Sequence, residues 1–159
     1  MKYGFGVDLG GTTVKIAFFD EGGAMLDKWE IPTVTADHGS QILPDIAASV
    51  LSYLNKKEIS KEQIIGIGIG VPGPVDDDGN VNRCTNLGWG VFNIHEALHG
   101  LTGLPIKAGN DANVAALGEA WKGGADGCDN MVLATFGTGV GGGIVVNGKP
   151  VNGVHGAAG

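Results

Sequence analysis

The chain reads as a mixed α/β protein, a sheet covered by helices on both faces with a new hairpin opening after it. Three observations predict this. Residues 3–31 carry three short apolar runs separated by glycine-bearing turns, the pattern of a strand meander. Later strand-like runs alternate with helix-like ones, which brings crossover connections into the same sheet. Thirty glycines lie between apolar runs with no collagen period, so they mark turns and close backbone approach rather than a helical bundle.

Composition narrows the class. At 159 residues and 43% hydrophobic, the chain can bury a real core. Its net charge is −7 and its pI about 4.8. No Lys/Arg cluster is present, which argues against an electrostatic nucleic-acid surface or a polybasic membrane patch. Acidity does not exclude ATP, because backbone amides and a metal can hold a nucleotide. Cys84 and Cys128 have no C-x-x-C partner and read as two buried free thiols rather than a disulfide or metal pair. The chain enters a strand directly, without a leader-like segment or a bilayer-length apolar run, so a cytoplasmic protein is expected.

The elements follow in order. The first hairpin turns at Gly10-Gly11-Thr12, between Tyr3, Phe5, Val7 and Val14, Ile16, Phe18. The second turns over residues 20–23, and residues 25–31 return along the sheet. After a connection at 32–39, Ile42, Ile46, Val50 and Leu54 form one helical ridge. Pro44 places the start of that helix at its own position or later, since proline is tolerated only in a first turn. Ser60-Lys61-Glu62-Gln63 has capping-box spacing. Residues 64–71 alternate isoleucine with glycine, which predicts a strand buried in mid-sheet with one face open to close approach. Pro72-Gly73-Pro74 ends it. Asp76, Asp77 and Asp78 read as a solvated turn, because they lack the spaced ligands and terminal glutamate of a calcium loop. Asn93-Ile94-His95-Glu96 opens a short helix, residues 105–108 form a strand, and Asn110-Asp111-Ala112-Asn113 starts an alanine-rich helix closed by Gly123-Gly124. Residues 131–136 predict a strand, 137–143 a glycine-rich turn, and 144–146 a strand leading to the Asn147-Gly148 turn.

Candidate chemistry gathers at the two glycine turns and one helix start. In Asp8-Leu9-Gly10-Gly11-Thr12-Thr13, glycines free backbone amides to point into a concavity and the hydroxyls add donors. Asp8 would repel a bare phosphate but suits one carrying Mg²⁺, directly or through water. An ordinary tight hairpin fits the same residues. The stretch Gly137-Thr138-Gly139-Val140-Gly141 repeats the shape, which suggests two turns gripping a phosphate tail. Asp111 fits two roles, helix N-cap and general base, and these can coexist. Asn86 offers a donor and an acceptor to a polyol; Trp89 suits either a sugar platform or the core. The four histidines, His38, His95, His99 and His155, read as surface or packing groups, with His155 near the second turn.

With those stretches in hand, the chain resembles the ROK family of sugar kinases and repressors, within the actin/hexokinase-like ATPase superfamily. The resemblance rests on five motifs in order: the turn at residues 8–15, Gly70-Val71-Pro72-Gly73-Pro74-Val75, Thr85-Asn86-Leu87-Gly88-Trp89, Asn110-Asp111-Ala112-Asn113 with Gly118-Glu119, and residues 136–143. It implies an RNase-H-like lobe over residues 1–112 holding the catalytic acid, then the start of a second lobe over 113–159. It implies ATP and Mg²⁺ as cofactors, with Asp8, Gly10, Gly11, Thr12 and Thr13 forming one phosphate loop and Gly137, Thr138 and Gly139 the other. Asp8 would lie near Mg²⁺ and Asp111 would take the proton from a sugar 6-hydroxyl. Gly73, Asn86, Asn110 and Asp111 would line the sugar pocket, with Lys15 a weaker candidate. The form of residues 86–89 resembles the glucokinase branch. A kinase of fructose or N-acetylmannosamine, or a sugar-sensing regulator, is the alternative. The family's Glu-x-Gly-His segment, cysteine-rich zinc motif and adenine lobe have no counterpart in this sequence, so the isolated chain is expected to be inactive. The family also implies a homodimer at full length.

Overall fold

The computed structural model describes residues 1–136, 140–153 and 158. A meander of β1 (Tyr3–Leu9), β2 (Thr13–Asp20) and β3 (Met25–Pro32) comes first. A distorted turn, α1 (Ala36–Gly39), and the long helix α2 (Ile42–Lys56) follow. Next come a 3-10 turn (Lys61–Gln63) and β4 (Ile64–Val71). Two short strands, β5 (Asn80–Val81) and β6 (Phe92–Asn93), pair with each other and flank a second 3-10 turn (Thr85–Leu87). Then α3 (Ile94–Thr102), β7 (Ile106–Asn110) and α4 (Asp111–Lys122) precede a second sheet of β8 (Met131–Phe136), β9 (Val140–Val146) and β10 (Lys149–Pro150).

The main sheet has the order β3-β2-β1-β4-β7, antiparallel through the meander and parallel from β1 to β4 to β7. This is the mixed α/β, RNase-H-like sheet that the sequence predicts. Alternation puts Val14, Ile16 and Phe18 of β2 inward, against Ile67, Ile69 and Val71 of β4 and the apolar ridges of α2 and α3 in one core. Pro44 does not delay α2, which starts two residues earlier. Proline there costs no hydrogen bond, because the first four helical amides have no intrahelical partner. Trp29 and Tyr53 stack at 4.6 Å, and the indole Nε1–H donates to Ser49 Oγ, fastening α2 to β3.

The second sheet, ordered β10-β9-β8, repeats the β3-β2-β1 arrangement of the first. Here the later part of the expected glycine-rich turn is strand instead. Gly141, Gly142 and Gly143 are strand residues paired with Thr135, Ala134 and Leu133. Their lack of side chains serves packing: a methyl at Gly143 would come within 2.6 Å of the Ala112 carbonyl and of Ala116 Cβ, so α4 lies directly on β9. Gly137, Thr138 and Gly139, with His155, lie outside the described residues.

Glycines on β4 impose the same kind of constraint. A methyl at Gly66 would lie 2.7 Å from the Pro105 carbonyl, which accepts the Ile67 amide at 2.8 Å. Gly66→Ala is therefore expected to cost about 1–3 kcal/mol, by forcing apart a pair of strands that cannot both relax. Gly118 on the exposed side of α4 has open space around it. Gly118→Ala is expected to stabilise by about 0.5–1 kcal/mol, through backbone entropy alone. Urea unfolding of the two variants checks both signs.

Candidate active site

The parallel register aligns the strand ends. Asp8 of β1 lies level with Gly70 of β4, Gly70 with Gly109 of β7, and Val71 with Asn110. Ligands of α/β sheets gather outside the carboxyl ends of parallel strands, and here that edge carries Asp8, Asn110 and Asp111. Gly70 brings them together. A methyl on it would sit in contact with Asp111, 3.4 Å from its Cα and 3.7 Å from its Cβ, so the first turn of α4 packs over β4 with no room for a longer side chain between them. Asp111 is then close enough for the Asp8 charge to act on it.

The cap of α4 is Asn110. Its Oδ1 accepts the Ala112 and Asn113 amides at 3.1 and 3.3 Å, and its Nδ2 donates to the Gly73 carbonyl at 3.2 Å. The capping role considered for Asp111 thus falls to its neighbour. Asp111 is the first helical residue. One carboxylate oxygen accepts the Ala112 amide at 2.8 Å, and the other makes no hydrogen bond among the described residues. Burial pushes the Asp111 carboxyl above its usual range, the Ala112 amide works against that, and the Asp8 charge adds to the rise.

The first glycine turn is open. The Gly10 amide closes the turn on the Thr13 carbonyl, and a methyl at Gly10 would meet that same carbonyl at 2.8 Å. Gly11 and Thr12 are exposed, and their amides make no hydrogen bond among the described residues. Thr33, which sequence reading left in a connection, clamps the turn: its amide donates to the Thr12 carbonyl and its hydroxyl to the Gly10 carbonyl. Lys15 sits directly across from Asp8 in the ladder, so both side chains project from one face.

Gly73 and Asn86 approach the same edge through Cys84. The buried thiol donates to the Pro72 carbonyl at 3.1 Å, and a methyl at Gly73 would lie 3.3 Å from Cys84 Cβ and Sγ. Burial raises the thiol's pKa, the Leu87 and Asn86 amides oppose this, and the Asp111 charge adds to it. Cys84 therefore connects Pro72-Gly73, the turn bearing Asn86, and Asp111, a role its isolated position in the sequence does not signal. Trp89 resolves as core: it is 6% exposed and its Nε1–H donates to the Gly39 carbonyl at 3.1 Å.

Metal chemistry fits only in part. Among the described residues no group of three or more His, Cys, Asp or Glu side chains could hold an ion. One exposed carboxylate, Asp8, beside an open glycine turn is nonetheless the sort of donor Mg²⁺ uses, since that ion keeps waters and takes substrate oxygens for its other positions. Cys84 is buried as expected but Cys128 is exposed, and neither belongs to a zinc-like cluster. No helix among the described residues is long and apolar enough to cross a membrane.

Comparison with known proteins follows from this geometry. Residues 4–159 match the ROK family. The chain is 50% identical over 155 residues to a glucokinase of Halalkalibacterium halodurans, covering 97% of this chain and 47% of that protein. It superposes on a ROK family glucokinase from Streptomyces griseus, solved in complex with glucose and AMPPNP, with a TM-score of 0.84 at 32% identity, covering 98% of this chain and 48% of that one. The ROK hexokinase from Thermus thermophilus gives a TM-score of 0.79 at 33% identity, with 99% and 51% covered. The chain spans about half the length of the curated relatives it matches. These neighbours are sugar kinases of the actin-like ATPase fold, and the chain belongs to the ROK family.

Proposed function

We propose that this chain carries the sugar-facing and first phosphate-facing parts of an ATP-dependent glucokinase, which transfers a phosphoryl group to the 6-hydroxyl of glucose. One observation carries the reading: a half-buried carboxylate with a free oxygen stands at the strand edge beside Asp8 and the open Gly11–Thr12 amides. The names of the similar proteins support glucose over other hexoses.

Asp111 takes the proton from the sugar hydroxyl as that oxygen bonds to the γ-phosphorus. The bond between the γ-phosphorus and the β-bridging oxygen breaks, and ADP leaves. A raised pKa makes the carboxylate a better proton acceptor. Asn110 fixes its position by capping α4 and holding Gly73, with Asn86 nearby to orient sugar hydroxyls. Gly10, Gly11, Thr12 and Thr13 supply donors to phosphate oxygens. Thr138, flanked by Gly137 and Gly139, would form the opposing turn. Asp8 would hold Mg²⁺, directly or through water, and that ion would neutralise phosphate charge when bound. On this reading residues 1–112 form the first lobe and 113–159 the beginning of the second. The working protein is a cytoplasmic homodimer of carbohydrate metabolism.

Asp111→Asn in the active protein is expected to lower kcat by about 10²–10⁴ while KM for glucose changes little, because only proton transfer is lost. An ADP-release assay across glucose, fructose and N-acetylmannosamine checks this and the sugar preference together; unchanged kcat would remove Asp111 from the mechanism.

The same substitution has a stability signature. Because folding raises the Asp111 pKa above 3.8, the folded state disfavours the ionised form, and the penalty grows as pH rises from 3.8 and is complete above the folded value. Asp111→Asn should raise the unfolding midpoint of the chain at pH 7. That gain should fade below about pH 3.8, where the carboxyl is protonated in both states. Thermal melts of both proteins across pH show it.

A further inference from the structure

β7, the strand that delivers Asn110 and Asp111, is the outer strand of the main sheet. Every second amide of an edge strand lacks a ladder partner, and such amides need another acceptor when buried. The Ala108 amide is one of these, at a residue only 9% exposed, and it donates to Nε2 of His95 at 2.9 Å. His95 is the second residue of α3, whose cap Asn93 accepts the Glu96 amide and donates to the Asp78 carbonyl. The ring is wedged against the turn at Gly79, where any side chain would collide with it. Because Nε2 accepts the Ala108 amide, the neutral ring carries its proton on Nδ1.

We propose that uncharged His95 positions the strand bearing Asn110 and Asp111, and that protonation of its ring releases the outer edge of that strand. An imidazolium has two N–H donors and no lone pair, so it would face the Ala108 N–H as donor against donor. Lys107 of β7 faces the ring as a positive charge, its Nζ donating to the Asp77 carbonyl at 3.1 Å. Asp76 and Asp78 of the turn favour the charged ring. Burial and Lys107 prevail, and the folded pKa lies below 6.5. The contribution of this contact to stability is thus present above pH 6.5 and lost as pH falls through the folded value. The bearing on turnover rests on Asp111 acting as the base; the hydrogen bond itself does not.

Amide exchange of the 159-residue chain, followed by NMR with the His95 ring nitrogens, tests this. Expected is an Ala108 protection factor that drops about tenfold as His95 titrates, with Nδ1 protonated at neutral pH. His95→Gln offers a carbonyl oxygen at similar reach and does not titrate, so protection should persist and its pH dependence should vanish. His95→Ala should lose about tenfold at every pH. Protection that ignores pH in the wild-type chain, a proton on Nε2, or pH dependence surviving in His95→Gln would overturn the proposal. Full turnover by Asp111→Asn would sink the kinase base while leaving these exchange results standing.

Discussion

The candidate site depends on one steric constraint, the absence of side chains on one face of β4. Gly66 lets the chain at Pro105 lie directly on the strand backbone, and Gly70 lets the first turn of α4 come within a methyl's width of it. A side chain longer than alanine's at position 70 would push the helix off the sheet and carry Asp111 away from Asp8. Parallel register alone would still bring the ends of β1, β4 and β7 level, but levelling the backbones does not bring two carboxylates within each other's field. The glycine at Gly143 repeats the device from the other side, seating α4 on β9. The helix is thus held between two glycine-bearing surfaces, and its N-terminal tip has little room to wander.

That constraint has an electrostatic consequence. Burial of Asp111 against the sheet, and after it the nearby Asp8 carboxylate, disfavour its ionised form and raise its pKa. Folding alone would favour a neutral residue at position 111. An acid kept there against that penalty fits the proposed role of proton acceptor beside a metal-bearing phosphate tail. The open Gly11 and Thr12 amides point the same way, since a hairpin built only for stability would close its donors on itself as the neighbouring Gly10 does.

Much of the fold was legible from alternation and turn residues. The meander, the long helix and the buried isoleucine–glycine strand all stand where period and punctuation put them, because each is specified by local pattern. Short motifs also single out Asp8, Gly73, Asn110 and Asp111, which the fold brings to one edge of the sheet. What escaped was tertiary. Glycines at 141–143 read as a turn because sequence alone cannot tell a glycine needed for φ from one needed for clearance, and here clearance decides. Pro44 read as a helix boundary, though a proline in the third helical position breaks nothing. Thr33 and Cys84 gave no signal, since their importance lies in partners 23 and 12 residues away.

The order of Asn110 and Asp111 is itself informative. A cap residue gives its side-chain oxygen to the helix amides, and a carboxylate bonded that way is held in its ionised form and made a weaker base. Placing the amide side chain at the cap and the acid one residue later separates the two tasks. Asn110 satisfies the amides of Ala112 and Asn113 and, with its nitrogen, holds the Gly73 carbonyl, which a carboxylate could not do. Asp111 gives up one oxygen to the helix and keeps the other for the edge where the strands end. Exchanging the two residues would preserve composition, helix and cap, yet it would tie up the acid and break the tether to Gly73. The pair therefore specifies a presented carboxylate as well as a helix start.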